Sequence, residues 1–302
     1  MTNTLLRDLR DRDRVAYLAT LLAPADKRSA LAAIWSYAHE LALIPLTVRE
    51  AAAGEIRLQW WADVVRGERN EEGKGHPVGA ALLHVVDKHA LPREPLAMMA
   101  EERSFDLYAD PMPDRPTFEA YAGATVSVPI QTACRILDPE AANRSANAAG
   151  HAGVYQAAMD RLSTLARDRA GGRSFIPADV LLKGWASPAN IIDPSFGAQR
   201  TDTAAAGQVI TEALRYAAEH RVAFVRHATT LPQTVAPAFA CAYARTVRER
   251  AIAATQADIL DRPSRNEPLR EQSAVMRTAR LFEGGSKPSL LSRLRKRFGG
   301  EG

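Results

Sequence analysis

No apolar run in the 302 residues approaches the roughly 20 that a membrane-spanning helix needs. Cysteine is scarce: Cys134 and Cys241 are the only two, with no CxxC spacing between them. Each sits in an apolar, helix-like context, where a thiol reads as a reduced core side chain. Strand-type alternation is missing, and so is any short repeat that would indicate a solenoid. A strong excess of one charge is missing too. Thirty-nine Lys and Arg against 35 Asp and Glu leave +4, gathered at the C-terminus rather than spread as a nucleic-acid surface. The opening MTNTLLRDLRDRDR holds three aspartates and no apolar centre, unlike a signal or transit peptide, so the expected compartment is the cytoplasm. The seven histidines form no ligand set. His84 and His89 are five apart, and His220 and His227 are two turns apart without acid or cysteine company.

What is present is helix almost throughout, consistent with a single all-α domain followed by a tail. Apolar residues recur every three or four positions over 13–22, 26–44, 54–66, 78–89, 95–108 and 118–137. They do so again over 148–170, 202–227, 235–260 and 268–282. Asp26 is the expected cap of the second segment, Pro45 its end or kink, and Pro129 an interruption of the sixth. The charged, Gly-rich 67–75 and the segment 187–201 read as irregular.

The organising stretch is AAGHAGVYQAAMDRLSTLARDRAGGRSFIP, residues 148–177. Asp160, Thr164 and Asp168 fall at i, i+4 and i+8 on one helix face, and the helix breaks at Gly171-Gly172. The exit Gly172-Arg173-Ser174-Phe175-Ile176-Pro177, with Gly153 and Gln156 at the entry, resembles the second signature of the squalene/phytoene synthase family. The resemblance covers roughly residues 10 to 280 and implies a bundle of helices around a central cavity. In active members of that family two Asp-rich motifs face each other across the cavity. A prenyl diphosphate loses its diphosphate there to give a carbocation. Mg²⁺ neutralises the leaving charge and is held by carboxylates together with the substrate phosphates.

This chain departs from both motifs. Trp35 and Tyr37 set the register of the first, and its three acidic positions then fall on Ala42, Leu43 and Leu46, with the family's arginine replaced by His39. Glu40 lies about 200° around the helix from Ala42. In the second motif the acidic positions fall on Thr164, Arg167 and Asp168, so one survives, and Asp160 lies near the family's asparagine. Asp160 and Asp168 stand about 12 Å apart along a helix axis, too far to share one ion unaided. Acids that are solvated, or paired with Arg161, Arg167 and Arg169, are the plainer alternative. The stretches Glu55-Ile-Arg-Leu-Gln-Trp-Trp61, Phe105-Asp-Leu-Tyr108, Asp110-Pro-Met-Pro113, Tyr121-Ala-Gly-Ala-Thr125 and Ala149-Gly-His-Ala-Gly153 are similar to one branch. That branch includes mitochondrial respiratory complex I assembly factor 6 and its bacterial relatives, which keep the synthase fold and have lost much of the aspartate chemistry.

The resemblance makes Tyr37, Asp106, Tyr108, Gln156, Asp160, Asp168 and Arg173 the candidates for contact with the cavity or a diphosphate. Asp106 occupies the place of a cavity-lining aspartate, with a helix-end or salt-bridge role as the alternative. Arg173 suits a phosphate or the end of its own helix. Trp35, Tyr37, Trp60 and Trp61 read as core sooner than as a prenyl pocket. No catalytic residue and no metal ligand is assigned, and no cofactor is expected unless the chain is an Mg²⁺-dependent prenyl transferase. The partners implied are complex I subunits or assembly intermediates, with an isoprenoid or quinone as a further possible ligand.

The tail, 284–302, is different in kind. Its segment KPSLLSRLRKRF carries five cations and no acid. As a helix it would place Leu290, Leu291, Leu294 and Phe298 on one face, flanked by Arg293, Lys296 and Arg297. A short basic amphipathic helix reads as a membrane-surface contact, and a disordered solubilising tail is the alternative. The expected location is therefore cytoplasmic and peripheral to the inner membrane.

Overall fold

The computed structural model describes residues 2–197, 200–262 and 267–282. Among them there is no β-strand, and the order is all helix. The first half comprises α1 (Thr2–Arg12), α2 (Arg14–Leu21), α3 (Arg28–Thr47), α4 (Ala51–Arg66), α5 (Asn70–Gly75), α6 (Pro77–Lys88), α7 (Arg93–Glu102), α8 (Arg115–Ala122) and α9 (Val128–Leu137). The second comprises α10 (Pro139–Ala142), α11 (Ala146–Ser163), α12 (Leu165–Ala170), α13 (Ala178–Lys183), α14 (Pro188–Ile192), α15 (Arg200–Ala228), α16 (Ala236–Thr255) and α17 (Pro268–Arg277).

The expected helices are present, with boundary differences that have local causes. An additional helix, α1, precedes Asp13, whose carboxylate accepts from the Ala16 N–H at 2.9 Å and so caps α2. Asp26 does not cap α3: the cap position is Lys27, which makes no side-chain cap bond. Pro45 lies inside the last turn of α3, which continues to Thr47. A proline there loses one hydrogen bond, but the turn is nearly finished and the helix runs out two residues later. The segment expected as a loop at 67–75 contains α5. Gly67, at φ 96°, closes α4 in the left-handed region, and Asn70–Gly75 coils again before His76. The interruption expected near Pro129 lies just before it, as a π-helical turn over Gly123–Ser127. Segment 187–201 holds the short α14 behind a Ser187–Asn190 capping box.

Two apolar clusters form the core, and α11 belongs to both. Ala148, Ala149 and Ala152 join the cluster built around Leu31, Ile34, Tyr37, Trp61, Phe224 and Phe239. One turn later Val154, Tyr155, Ala158, Met159 and Leu162 join the cluster of Phe118, Tyr121, Ile191, Val209 and Ile210. The small residues at the start of α11 let its backbone approach its neighbours closely, and the larger ones beyond fill the second cluster. Cys134 and Cys241 are free and buried, and burial pushes the Cys134 thiol up to about 12, as expected of inert core thiols.

No helix among the described residues is long and apolar enough to cross a membrane. The residues named above as membrane-contacting (Leu290, Leu291, Arg293, Leu294, Lys296, Arg297 and Phe298) lie outside the described residues.

Candidate functional site

On α11, Ala157, Asp160, Arg161 and Thr164 follow one another at i, i+3, i+4 and i+7 and share a face. Thr164 closes α11 and α12 starts at once, which carries Arg167 and Asp168 onto the same side. The chain then turns through Gly172, at φ 69°, and brings Arg173 back. Across from them α3 presents Ala42, Pro45 and Leu46. Arg103 and Asp106 come from the 3-10 turn after α7, Tyr121 from α8 and Val126 from the π-helical turn. Together these residues enclose a cavity of about 200 Å³.

Asp106 is buried and bound from three sides. The Tyr121 hydroxyl donates to both of its carboxylate oxygens at 2.9 Å. Arg103 Nη1 donates to it at 3.0 Å, and Arg161 Nη2 donates to it as well. Both guanidinium groups also reach the Tyr121 oxygen, and Arg161 lies 3.6 Å over the Phe175 ring. Burial works to raise the Asp106 carboxyl, but Arg161 and Arg103 outweigh it and hold the group below the usual carboxylate range. Burial raises the Tyr121 phenol, and the two arginines only partly oppose it.

Asp160 faces α16. Arg245 grips it with Nε at 2.7 Å and Nη2 at 3.1 Å, a two-pronged geometry suited to a carboxylate. Arg248 adds Nη1 at 3.1 Å and turns its Nε to Glu271 at 2.6 Å. Desolvation raises the Asp160 carboxyl, and Arg245 and Arg248 more than reverse it. Asp168 accepts from the Thr164 hydroxyl at 2.7 Å and from Arg167 Nη2 at 3.3 Å. Arg173 donates through Nη1 to the Asp106 carbonyl at 3.1 Å, so it ties the motif exit to the 3-10 turn.

Mg²⁺ is the ion that the resemblance implies, and these residues do not fit it. Each carboxylate on the cavity is already committed to a guanidinium group, in three separate partner sets. The facing helix offers Ala42, Pro45 and Leu46, none with an oxygen ligand. Among the described residues no three His, Cys, Asp or Glu are placed to hold a metal together.

Of the candidates named from the sequence, Asp106, Asp160, Asp168 and Arg173 line the cavity. Asp106 lines the cavity and is salt-bridged there to Arg103 and Arg161. Three candidates do not line it. Tyr37 lies about 140° around α3 from Ala42, and it is core: its hydroxyl donates to the Leu96 carbonyl at 2.8 Å and its ring packs on Trp61. Tyr108 leaves the 3-10 turn on extended backbone, is 42% exposed and donates to Glu55 at 2.6 Å. Gln156 stands one position short of Ala157, at the edge of the lining face, and its Oε1 is buried without a hydrogen-bond partner among the described residues. Glu40, as its helix angle required, points away, to Arg12 at 2.8 Å. Trp60 and Trp61 lie on a different hollow with Ile56 and His76.

Sequence reasoning missed Arg103, Tyr121, Arg245 and Arg248. Arg103 is spaced i, i+3 from Asp106, a signal within reach. Arg245 and Arg248 lie 85 and 88 residues beyond Asp160, and nothing local announces them. Arg161 binds Asp106 across the cavity rather than the acids beside it, and Arg169 donates to the carbonyls of Asp193 and Phe196. The histidines hold another grouping the spacing did not show. His151 of α11 stands between His220 and His227 of α15, with Nδ1 3.1 Å from that of His220 and its ring stacked on His227.

Comparison with known proteins agrees with this architecture. The family model for squalene/phytoene synthase matches residues 9–271. A relative from Bos taurus, "NADH dehydrogenase (ubiquinone) complex I, assembly factor 6", is 29% identical over 174 residues, 58% of this chain and 52% of the relative. The Homo sapiens protein of the same name is 28% identical over the same shares. The chain thus spans about half the length of the curated relatives it matches. Among solved structures, a dehydrosqualene synthase in complex with ligand superposes with a TM-score of 0.70 at 15% identity, covering 92% of this chain and 94% of that one. Squalene synthase HpnC from Alicyclobacillus acidocaldarius gives 0.65 at 16% identity, covering 85% and 94%. At such identities the solved structures show the isoprenoid-synthase fold alone, while the family match covers most of the sequence. The chain belongs to the squalene/phytoene synthase family.

Proposed function

We propose that the chain is a non-catalytic member of this family that acts in the assembly of respiratory complex I at a membrane surface. The observation that carries the loss of catalysis is the state of the cavity acids. Asp106, Asp160 and Asp168 are each bound by arginine, and the opposite wall is Ala42, Pro45 and Leu46. A metal-assisted ionisation needs carboxylates free to hold the ion. A cavity of about 200 Å³ also falls short of the roughly 300–1,000 Å³ typical of small-molecule sites, and far short of space for two prenyl chains.

The assembly role is supported by the relatives that carry that name. The membrane surface is supported by the basic tail, Lys287 to Phe298, which would hold the protein beside a membrane-bound client. Complex I subunits or their assembly intermediates are the partners this role requires.

Two measurements test the proposal. The purified chain should release no pyrophosphate from farnesyl or geranylgeranyl diphosphate with Mg²⁺, under conditions where an Asp-rich family member turns over. Clear turnover would establish the alternative, an active prenyl transferase. In cells whose NADH oxidation depends on complex I, removing the protein should deplete the assembled complex, and the chain carrying Asp168→Asn should restore it. Undiminished complex I after removal would end the assembly proposal.

A further inference from the structure

Where α11 packs on α15, ring nitrogens meet from both sides. His151 Nδ1 on α11 lies 3.1 Å from His220 Nδ1 on α15. Both rings are held from behind. On the far side of His220, Nε2 lies 3.4 Å from Glu119 Oε1 of α8, and the Tyr216 hydroxyl donates to the same oxygen at 3.3 Å. The Tyr216 ring stands edge-on to His220 at 5.1 Å. His151 is steadied by His227, whose ring stacks on it with the planes 5° apart.

These contacts select the atoms that face each other. A carboxylate beside Nε2 keeps the His220 proton on that nitrogen, so the lone pair sits on Nδ1 and points at His151. With its own proton on Nδ1, His151 donates across the gap, and the pair is a hydrogen bond. With that proton on Nε2, two lone pairs converge on one point. Burial lowers the pKa of both rings, so both are neutral at pH 7 and neither must shed a charge before it meets a cation.

The spacing suits a shared ion. A metal–imidazole bond of about 2.0–2.1 Å puts two nitrogens about 2.9 Å apart at a right angle and about 3.4 Å apart at the tetrahedral angle. The observed 3.1 Å falls between them. A carboxylate behind the ring is also the partner that a ligating histidine uses to hold its tautomer and raise its basicity.

We propose that His151 and His220 bind a divalent ion of the first transition row, which ties α11 to α15. Imidazole ligands suit zinc, copper or nickel, whereas magnesium takes oxygen. No third His, Cys, Asp or Glu among the described residues is placed to join the pair, so water completes the coordination. The rings of His151, His220 and His227 are part-buried rather than sealed, which leaves the ion a way in. The site lies outside the cavity lining and does not depend on whether that cavity is catalytic. It does share α11 with Asp160 and Arg161, so a bound ion would steady the helix that carries them.

Calorimetric titration of the EDTA-stripped full chain with Zn²⁺ tests this, with thermal melting alongside. One ion per chain is expected. The melting midpoint should climb with Zn²⁺ concentration, because the ion prefers the folded chain. EDTA should reverse the rise, and excess Mg²⁺ should not compete. Cu²⁺ in place of Zn²⁺ should show coupling to two nitrogens in its electron paramagnetic resonance spectrum. His151→Gln and His220→Gln should each abolish the one-to-one binding, with the metal-free fold checked by circular dichroism. His84→Gln, at an exposed histidine elsewhere, should change nothing. Glu119→Gln keeps both ligands and should weaken binding about 10–100-fold.

A chain that binds no Zn²⁺, or binds it with no rise in the melting midpoint, would overturn the proposal. So would binding undiminished by either histidine replacement, which would mark an adventitious surface ion, or copper coupled to a single nitrogen. The copper spectrum is taken on the unaltered chain, so it decides the matter even where a variant fails to fold.

Discussion

Removing the Asp106 carboxylate while keeping its partners would strand two guanidinium groups, Arg103 and Arg161, around a buried amide. Breaking a buried ion pair from one side costs about 3–5 kcal/mol, because the remaining charge loses its counter-ion and stays out of water. Asp106→Asn should therefore lower the urea midpoint by that order, with little change in the slope. The same carboxyl gives the molecule an acid limit. Its pKa is held below the ordinary value in the folded state, so its contribution is complete above the unfolded value of about 3.9 and is lost as pH falls through the folded one. Urea midpoints should drop below about pH 4, and Asp106→Asn should remove part of that drop. An unchanged acid limb in the variant would mean that Asp106 is not the group being titrated. Asp106 illustrates where sequence and structure part. Its position by a cavity was legible from the Phe-Asp-Leu-Tyr stretch. Its partners were not, since Tyr121 and Arg161 lie 15 and 55 residues away, on helices whose periodicity gives a face but not a neighbour.

At the level of elements, α11 meets the π-helical turn at Gly153. A Cβ built there would overlap Ser127 Oγ and lie 2.7 Å from the Ser127 backbone nitrogen. In an exposed helix Gly→Ala gains about 1 kcal/mol. Here the backbone contact reverses the sign, and Gly153→Ala should destabilise by about 1–3 kcal/mol, read from thermal or urea melting. A gain in stability would show that the two elements can separate without cost.

The α11–α15 seam carries a second dependence on pH. Burial lowers the pKa of His151, and His220, His227 and Arg226 lower it further, against Glu119. Burial also lowers His220, with Glu119 and Glu219 opposing. For groups depressed on folding, stability is present above the unfolded value of about 6.5 and is lost as pH falls below it. The urea midpoint should decline as pH falls below about 6.5, before the carboxylate limb begins, and His220→Gln should flatten that decline. Each helix here was legible as a helix. The seam was not, because His151 precedes His220 by 69 residues and only the packing of α11 on α15 brings their rings together.

At the scale of the whole molecule, two kinds of charge are kept apart. Within the described residues the cavity arginines bind acids and a backbone carbonyl of the chain, whereas the segment from Lys287 to Phe298 has five cations and no acid of its own. Near an anionic leaflet each base can contribute about 1 kcal/mol, and the attraction decays over a Debye length of about 10 Å at 0.1 M salt. The full chain should therefore sediment with vesicles containing phosphatidylserine at 50 mM salt and be released at 0.5 M. It should bind neutral phosphatidylcholine only weakly, and a chain ending at residue 283 should not sediment with either. Replacing Leu294 and Phe298 with Ser should weaken binding even at low salt, because apolar side chains would supply the part of the affinity that salt does not screen. If the shortened chain bound anionic vesicles as well as the full one, the membrane contact would lie on the helical body. The tail would then be a solubilising extension, and the client, rather than the lipid, would have to bring this protein to the membrane.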